Sequence, residues 1–357
     1  MATFLITGGA GFIGSNFVIG AIAAGHVVVN LDLLTYAGNA DNLTGLSEAP
    51  RYHFVHGSIN DRDLVIRLLS RHNPSAIINF AAETHVDRSI EGPAAFINTN
   101  INGTFELLEA ALSHWQKLEA APRSAFRFLH VSTDEVYGSI SEGKFTESSP
   151  YKPNSPYAAS KAAADHLVRA FHKTYGLPTL VTNCGNNYGP RQFPEKLVPH
   201  IILSALAQQP LPIYGDGQNI RDWLHVDDHC AALARVVEAG KPGETYNVGG
   251  YGEHTNLEVV HAICDALGRS KSRAGGYRDL ITYVADRPGH DRRYALDASK
   301  LERNLGWRPK VAFETGLNET VAWYLANAEW CQRIKERGYK VTRIGLSGNK
   351  AGAEIAS

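Results

Sequence analysis

The 357-residue sequence has almost no net charge: 35 Lys and Arg stand against 36 Asp and Glu, giving −1 with neutral histidines. A chain this balanced has no overall field to draw it to nucleic acid or to an anionic membrane, so any anion site must be local. It also has no basic patch with interleaved aromatics, and a nucleic-acid partner is not expected. No apolar run approaches the ~20 residues of a membrane-spanning helix. The N-terminus enters Phe4-Leu5-Ile6 directly, with no basic leader and no small-residue cleavage site, so no secretory signal is expected. Cysteines are few. Cys184, Cys230, Cys264 and Cys331 have no metal-like spacing, and no metal site is expected. They read as small hydrophobes in a reduced, cytoplasmic protein. Internal repeats and low-complexity tracts are absent. What is present, 44% hydrophobic and 20% charged residues, suits a soluble globular chain long enough for a large core and two lobes.

The first 32 residues carry the clearest pattern. An apolar run, Thr3 to Thr7, leads at once into Gly8-Gly9-Ala10-Gly11-Phe12-Ile13-Gly14. A helical pattern follows (Phe17, Val18, Ala21, Ile22), ends at Gly25, and gives way to a second strand, Val27 to Leu31, closed by Asp32. Strand, glycine turn, helix, strand and terminal acid in this order form a dinucleotide-binding βαβ unit. A side chain at Gly11 would hold the helix N-terminus away from a pyrophosphate, and one at Gly14 would push helix and sheet apart. The open N–H groups and partial positive charge of the helix start would face the phosphates. Asp32 would accept hydrogen bonds from the adenosine ribose, and its charge repels a ribose phosphate, so the expected cofactor is NAD rather than NADP.

Further strands are expected at Tyr52–Gly57 and Ala76–Phe80, the second running into Ala81-Ala82-Glu83-Thr84-His85. The stretch from Thr35 to Pro50 reads as a loop beside the adenosine. A long helix is expected from Pro93 to about Leu118, then a buried strand from Phe126 that ends in Thr133-Asp134-Glu135. Strands alternating with helices for some 180 residues point to an α/β protein with a doubly wound parallel sheet of Rossmann type. After Cys184 the elements become shorter and the chain turn-rich, and a last helix is expected from about Glu314 to Trp330. Residues 1–185 are read as the NAD-binding domain, joined by parts of later segments. Residues 186–330 are read as mainly a smaller, interleaved substrate lobe, and 338–357 as a flexible tail.

Two groups of residues carry chemistry. Tyr157 and Lys161 lie four apart in a helix-favouring run after Pro156, so they share a face. An ammonium there is expected to lower the phenol pKa from about 10, and Thr133 offers a hydroxyl to the same substrate oxygen. Together they can take a proton from an alcohol while a nicotinamide takes the hydride. Read alone, the pair could also be a plain surface pair. Asp134 and Glu135 could be a solvated turn, or two carboxyls in one cleft held in unlike protonation states.

On these residues the chain resembles the extended short-chain dehydrogenases/reductases and, within them, the dTDP-glucose 4,6-dehydratases, over nearly its whole length to about residue 330. The segments that carry the resemblance are Thr84 to Ile90, Ser132 to Gly138, Asn186 to Pro190, Pro194 to Leu197, Arg221 to His229 and Asp286 to Asp291. The Thr133-Asp134-Glu135 triplet separates this group from the sugar-nucleotide epimerases of the same fold. The resemblance implies that Tyr157 deprotonates the hydroxyl on sugar carbon 4 while the hydride leaves. Glu135 then removes the proton of carbon 5 and Asp134, in its acid form, protonates the departing hydroxyl of carbon 6. Hydride returns to carbon 6 and a proton to carbon 5.

The resemblance also implies cofactor contacts at Gly8, Gly11, Phe12, Ile13, Gly14, Asp32, Leu33, Thr35, Ser58, Ile59, Ala81, Ala82, Thr99, Tyr157, Lys161 and Asn187. It implies nucleotide-sugar contacts at Thr84, Asn186, Glu195, Lys196, Leu197, Pro212, Tyr214, Arg221, Asn256, Arg287 and His290, and a homodimer through the Tyr157 helix and the long helix before it. Lys196, Arg221 and Arg287 suit a diphosphate, although each could equally be a structural ion pair, and His290 a hydrogen-bonded loop residue. Tyr188 and Trp223 are expected in the core. Ser58 stands where the family has an aspartate for the adenine amino group, which puts that contact in doubt. Gly185 replaces a common serine. Other readings are a dehydratase or 4-epimerase for another sugar nucleotide such as UDP-glucose, and an NAD-sensing scaffold. The presence of both Tyr157 and Lys161 argues against the scaffold.

Overall fold

The computed structural model describes residues 1–286 and 289–336. Its first part runs β1 (Thr3–Thr7), α1 (Phe12–Ala23), β2 (Val27–Asp32), β3 (Tyr52–His56), α2 (Arg62–His72), β4 (Ala76–Asn79), α3 (Val86–Glu91), α4 (Ala94–Phe96), α5 (Thr104–Lys117), α6 (Ala120–Ala125), β5 (Arg127–Thr133), α7 (Pro156–Tyr175) and β6 (Thr179–Cys184). Its second part runs β7 (Asn186–Tyr188), α8 (Leu197–Leu206), β8 (Leu211–Tyr214), β9 (Ile220–His225), α9 (Val226–Ala239), β10 (Thr245–Val248), β11 (Glu253–Thr255), α10 (Asn256–Ser270), β12 (Ile281–Val284), α11 (Ser299–Leu305), α12 (Phe313–Ala326) and α13 (Ala328–Glu336).

A seven-stranded sheet, ordered β10-β6-β5-β4-β1-β2-β3, is parallel throughout. Strand alternation sorts its side chains between two layers. Phe4, Ile6, Val28, Ile78, Leu129 and Leu180 meet α1, α9 and α11 on one face. Leu5, Val29, Leu31, Ile77, Phe128 and Val181 meet α2, α5 and α7 on the other. Each such side chain contributes about 1.5–3 kcal/mol when fully buried. The strand order reverses between β1 and β4, and there the carboxyl ends of the strands open a crevice. This Rossmann-like sheet is the one expected, and β10 enters it from the second part of the chain, beside β6. A separate core joins α8, β8, α10, α12 and α13 through Ile201, Ile213, Val260, Leu317 and Trp330. Tyr188 and Trp223 are buried, as expected.

Local signals explain the helix ends that matter most. The Ser155 hydroxyl accepts from Ala158 N, Pro156 opens α7, and Gly176 closes it in the left-handed region at φ 74°. Two helices differ from expectation. The one from Pro93 is widened into π turns over Ile97–Gly103. Asn100 explains the widening: buried there, it accepts from Glu83 N (2.8 Å) and donates to Glu83 O (3.0 Å) and Ser160 Oγ (2.9 Å). The terminal helix breaks at Asn327, whose amide donates to Trp323 O at 2.8 Å. Beyond the break, Trp330 Nε1 donates to Asn42 Oδ1 at 2.9 Å, beside the glycine turn. The tail expected at 338–357 lies outside the described residues, as does Arg287.

Candidate active site

The crevice begins at the glycine turn. Gly8 has φ +71°, and a Cβ there would lie 2.6 Å from Ala81 N, so only glycine lets the ends of β1 and β4 approach this closely. At Gly14 a Cβ would lie 2.3 Å from Gly8 O: the constraint is turn against helix, rather than the helix-against-sheet spacing expected. Gly11 caps α1 with no side-chain hydrogen bond, leaving the first N–H groups of a 12-residue helix open toward the cleft. These features suit a pyrophosphate. Asp32, at the end of β2, accepts from Ala10 N and Leu34 N, both at 2.8 Å. Burial raises its pKa, and these two N–H groups oppose the rise. Its carboxylate keeps lone pairs for a ribose.

The same cleft is lined by Thr133, Asp134, Glu135, Tyr157 and Lys161. β5 delivers the first three at its carboxyl end and α7 the other two. Asp134 is 2% exposed, and its Oδ2 has no hydrogen-bond partner among the described residues. Burial raises its pKa well above its ordinary value, Glu135 and Asp222 add to this, and Arg221 opposes it. This environment favours the protonated form of Asp134, the form that the role expected of it calls for. Glu135 is partly exposed in the cleft, and its backbone N–H donates to Thr133 Oγ1 at 3.3 Å.

Contrary to the expectation from the Tyr157–Lys161 spacing, the phenol pKa is raised, not lowered, in this structure. Burial raises the phenol pKa well above its usual value, Glu135 and Cys184 push it further, and the Thr133 hydroxyl opposes them. Lys161 Nζ instead donates to Val131 O at 2.9 Å and lies 3.2 Å from His130 Nε2. Its own pKa falls to about 8 through burial.

Known proteins resemble this chain over most of its length. Residues 5–320 match the family model described as GDP-mannose 4,6 dehydratase. The dTDP-glucose 4,6-dehydratase of Xanthomonas campestris pv. campestris (strain B100) is 60% identical over 350 residues, covering 97% of this chain and 100% of that protein. The chain belongs to the dTDP-glucose 4,6-dehydratase family. Another relative, dTDP-glucose 4,6-dehydratase 1 of Escherichia coli K12, is 54% identical over 94% of this chain and 96% of its own. The dTDP-glucose 4,6-dehydratase of Streptomyces venezuelae, solved with NAD and TYD bound, superposes with a TM-score of 0.86 at 48% identity, over 93% of this chain and 99% of that one.

Every residue for which family resemblance implied a cofactor contact lines the cleft: Gly8, Gly11, Phe12, Ile13, Gly14, Asp32, Leu33, Thr35, Ser58, Ile59, Ala81, Ala82, Thr99, Tyr157, Lys161 and Asn187. Of the positions for which the resemblance implied a substrate contact, Thr84, Asn186, Glu195 and Lys196 line it too. Leu197, Pro212, Tyr214, Arg221, Asn256 and His290 lie outside this lining. Arg221 donates to Asp291 O at 2.9 Å and stacks 4.3 Å over Tyr294. Tyr214 donates to Asp87 Oδ2 at 2.8 Å, and His290 meets Asp286 Oδ1 at 2.6 Å.

Sequence reading missed a strap across the cleft. Tyr36, in the loop after β2, donates to Glu195 Oε1 at 3.1 Å, and the Arg88 guanidinium stacks 3.7 Å over its ring. Arg88 and His85 also approach Glu195 Oε2, at 3.8 and 3.9 Å. Nothing in the spacing of these residues announces it. Asn60 was missed as well. It lines the cleft beside Ser58, its N–H donates to Ser58 Oγ at 3.1 Å, and its polar side chain two residues after the altered Ser58 is the signal that could have drawn attention.

Proposed function

We propose that this protein is an NAD-dependent dTDP-glucose 4,6-dehydratase, a hydro-lyase that makes the 4-keto-6-deoxy sugar nucleotide. The observation that carries the reading is the buried Asp134 carboxyl, its Oδ2 without a hydrogen bond among the described residues, in one cleft with Glu135, Tyr157 and the glycine turn. Bound NAD supplies the acceptor and later donor of the hydride, and in its oxidised form a positive charge that favours the Tyr157 phenolate. Tyr157, with the Thr133 hydroxyl beside it, accepts the proton of the carbon-4 hydroxyl. The ketone formed there acidifies carbon 5, and Glu135 takes that proton. Asp134 protonates the hydroxyl leaving carbon 6, so that it departs as water. Glu135 returns its proton to carbon 5. A 4-epimerase has no use for a protonated carboxyl at this place, and the Asp134 environment argues against that alternative.

The division of labour in the chain is part of the proposal. Residues 1–185, with β10 and its flanking helices, hold the cofactor, and most of 186–330 holds the nucleotide sugar. Glu195 and Lys196 stand where the two meet; Lys196 Nζ donates to Thr84 O at 2.9 Å. A homodimer through the α5 and α7 region is supported by the exposed Ile97 and Phe105, and is checked by light scattering. A cytoplasmic setting is supported by four free cysteines. None of the described helices is long and apolar enough to cross a membrane.

Incubation with dTDP-glucose, followed by mass spectrometry, tests the activity. Loss of one water is expected, with UDP-glucose and dTDP-galactose run alongside. An isomer of unchanged mass would replace the reading with epimerisation.

A further inference from the structure

Tyr157, Lys161 and Asp165 follow one another at four-residue intervals on α7, so they share one face, with Lys161 between a phenol and a carboxyl. Asp165 is 3% exposed and lies outside the lining of the cleft. Its place is fixed from three sides. Ser132 Oγ from β5 (2.9 Å), Asn183 Nδ2 from β6 (3.1 Å) and Tyr151 OH from the segment before α7 (3.0 Å) all donate to Oδ2. Three donors converging on one carboxyl oxygen favour the ionised form. Asn183 Nδ2 also donates to Thr133 O at 3.2 Å, which ties the carboxyl to the strand end that carries Thr133, Asp134 and Glu135. Burial pushes the Asp165 pKa up to about 6, against the pull of Lys161 and the three donors. This environment favours the carboxylate at neutral pH, and no reaction step described above uses it.

The groups around Lys161 give that charge a task. From β5, Val131 O accepts from Nζ at 2.9 Å and His130 Nε2 lies 3.2 Å away. Burial and the Lys161 charge hold the His130 pKa well below its usual value, which favours the neutral ring. From β6 comes Cys184, whose thiol pKa burial pushes up to about 12. From α7 come Tyr157 and Asp165. Asp134 and Glu135, at the end of β5, bear on Tyr157. Burial draws the Lys161 pKa down to about 8, and Asp165 and Cys184 oppose the fall. A thiol is neutral at pH 7, so the Asp165 carboxylate is the anion among these neighbours of the ammonium. A buried amine without an anion nearby gives up its proton at lower pH. Among the described ion pairs none joins Lys161 to Asp165, so the charge acts without a direct contact, through an interior of low dielectric.

We propose that Asp165 is a positioning residue for cofactor reduction: its carboxylate, fixed by Ser132, Tyr151 and Asn183, supplies the buried negative charge that keeps Lys161 an ammonium on the face it shares with Tyr157. The inference rests on the proposed dehydratase reading only for the task assigned to Lys161, a positive charge near the Tyr157 phenolate. The placement of the carboxylate is independent of the substrate.

Asp165→Asn tests it in the full-length protein loaded with NAD, because the amide keeps the shape and an acceptor oxygen and removes the charge. The first readout is the titration of Lys161 itself, followed by NMR in protein isotope-labelled at the lysine Cε, with the resonance assigned by its loss in Lys161→Arg. Its midpoint should fall by about one pH unit in Asp165→Asn. The second is cofactor reduction in single-turnover mixing with dTDP-glucose across the same pH range. The ammonium is present below its pKa and lost above it, so the alkaline limb should move to lower pH by the same amount. The rate should stay within about threefold of wild type at about pH 6 and fall about tenfold at about pH 9. KM should be unchanged, since Asp165 does not line the cleft. A purely structural role would lower the rate by one factor at every pH and leave the limb and the midpoint in place; that result overturns the proposal. A wild-type protein that reduces no cofactor would overturn the dehydratase reading instead, and the Lys161 titration still decides the charge. If Asp165→Asn does not fold, Asp165→Ser, neutral and smaller, carries the same titration: the same fall is expected, and an unmoved midpoint refutes the proposal.

Discussion

Asp134→Asn separates acid catalysis from everything else Asp134 does. The amide has the shape of the acid and retains an acceptor for the Thr133 hydroxyl, which lies 3.4 Å from Asp134 Oδ1. The buried Oδ2 side has no partner in either case, so the two side chains are similarly placed for desolvation. What the amide lacks is a transferable proton. A positioned general acid contributes about 10²–10⁴-fold, or about 2.7–5.4 kcal/mol of barrier. Cofactor reduction precedes proton donation and should stay within about threefold of wild type, whereas loss of water should fall by the full factor. In rapid mixing with dTDP-glucose, reduced nicotinamide should therefore accumulate and persist. Stability should move the other way. The folded-state pKa of Asp134 is raised well above the ordinary value of 3.8. The folded protein thus holds a proton that the unfolded chain releases as pH rises through about 4, and stability declines over that rise. Asparagine has no such linkage, so the variant should melt higher at pH 7 and show no advantage at pH 3. Water loss within tenfold of wild type, or a melting point below wild type at pH 7, would refute the assignment of a protonated acid at this position.

Glu135→Gln should likewise reduce the cofactor but stop before elimination, seen as reduced nicotinamide with no mass change in the sugar nucleotide; full turnover would remove Glu135 from the mechanism. Tyr157→Phe should bind NAD normally by calorimetry and reduce it about 10²–10⁴-fold more slowly. Gly14→Ala places a methyl 2.3 Å from Gly8 O. It should cost about 1–3 kcal/mol of stability in thermal melts and abolish NAD binding by opening the turn.

The fold was legible where a residue's task is local. The glycine turn, Asp32 at a strand end and Ser155-Pro156 before α7 each announce themselves within a few positions, and the cofactor side of the cleft follows from them. The π turns at Ile97–Gly103 were not legible, because Asn100 widens the helix to reach Glu83 and Ser160, partners that only the tertiary structure brings near. The Tyr36–Glu195 strap joins residues 159 apart for the same reason. The Tyr157–Lys161 pair shows a subtler limit. Four-residue spacing states that two side chains share a face. It cannot state that a histidine from β5 and the Val131 carbonyl compete for the ammonium, or that burial moves the phenol opposite to the direction its neighbour would.

The bond from Trp330 to Asn42 has a counterpart: Asn42 Nδ2 donates to Ala10 O at 3.0 Å, within the glycine turn itself. Arg333 adds an ion pair to Asp41 at 2.9 Å. The loop after β2, beside the glycine turn, is thus braced by side chains of α13 that lie 288 and 292 residues further along the chain. A nascent chain cannot complete these braces until α13 has been synthesised, and a proteolytic clip after Asn327 would remove both of them.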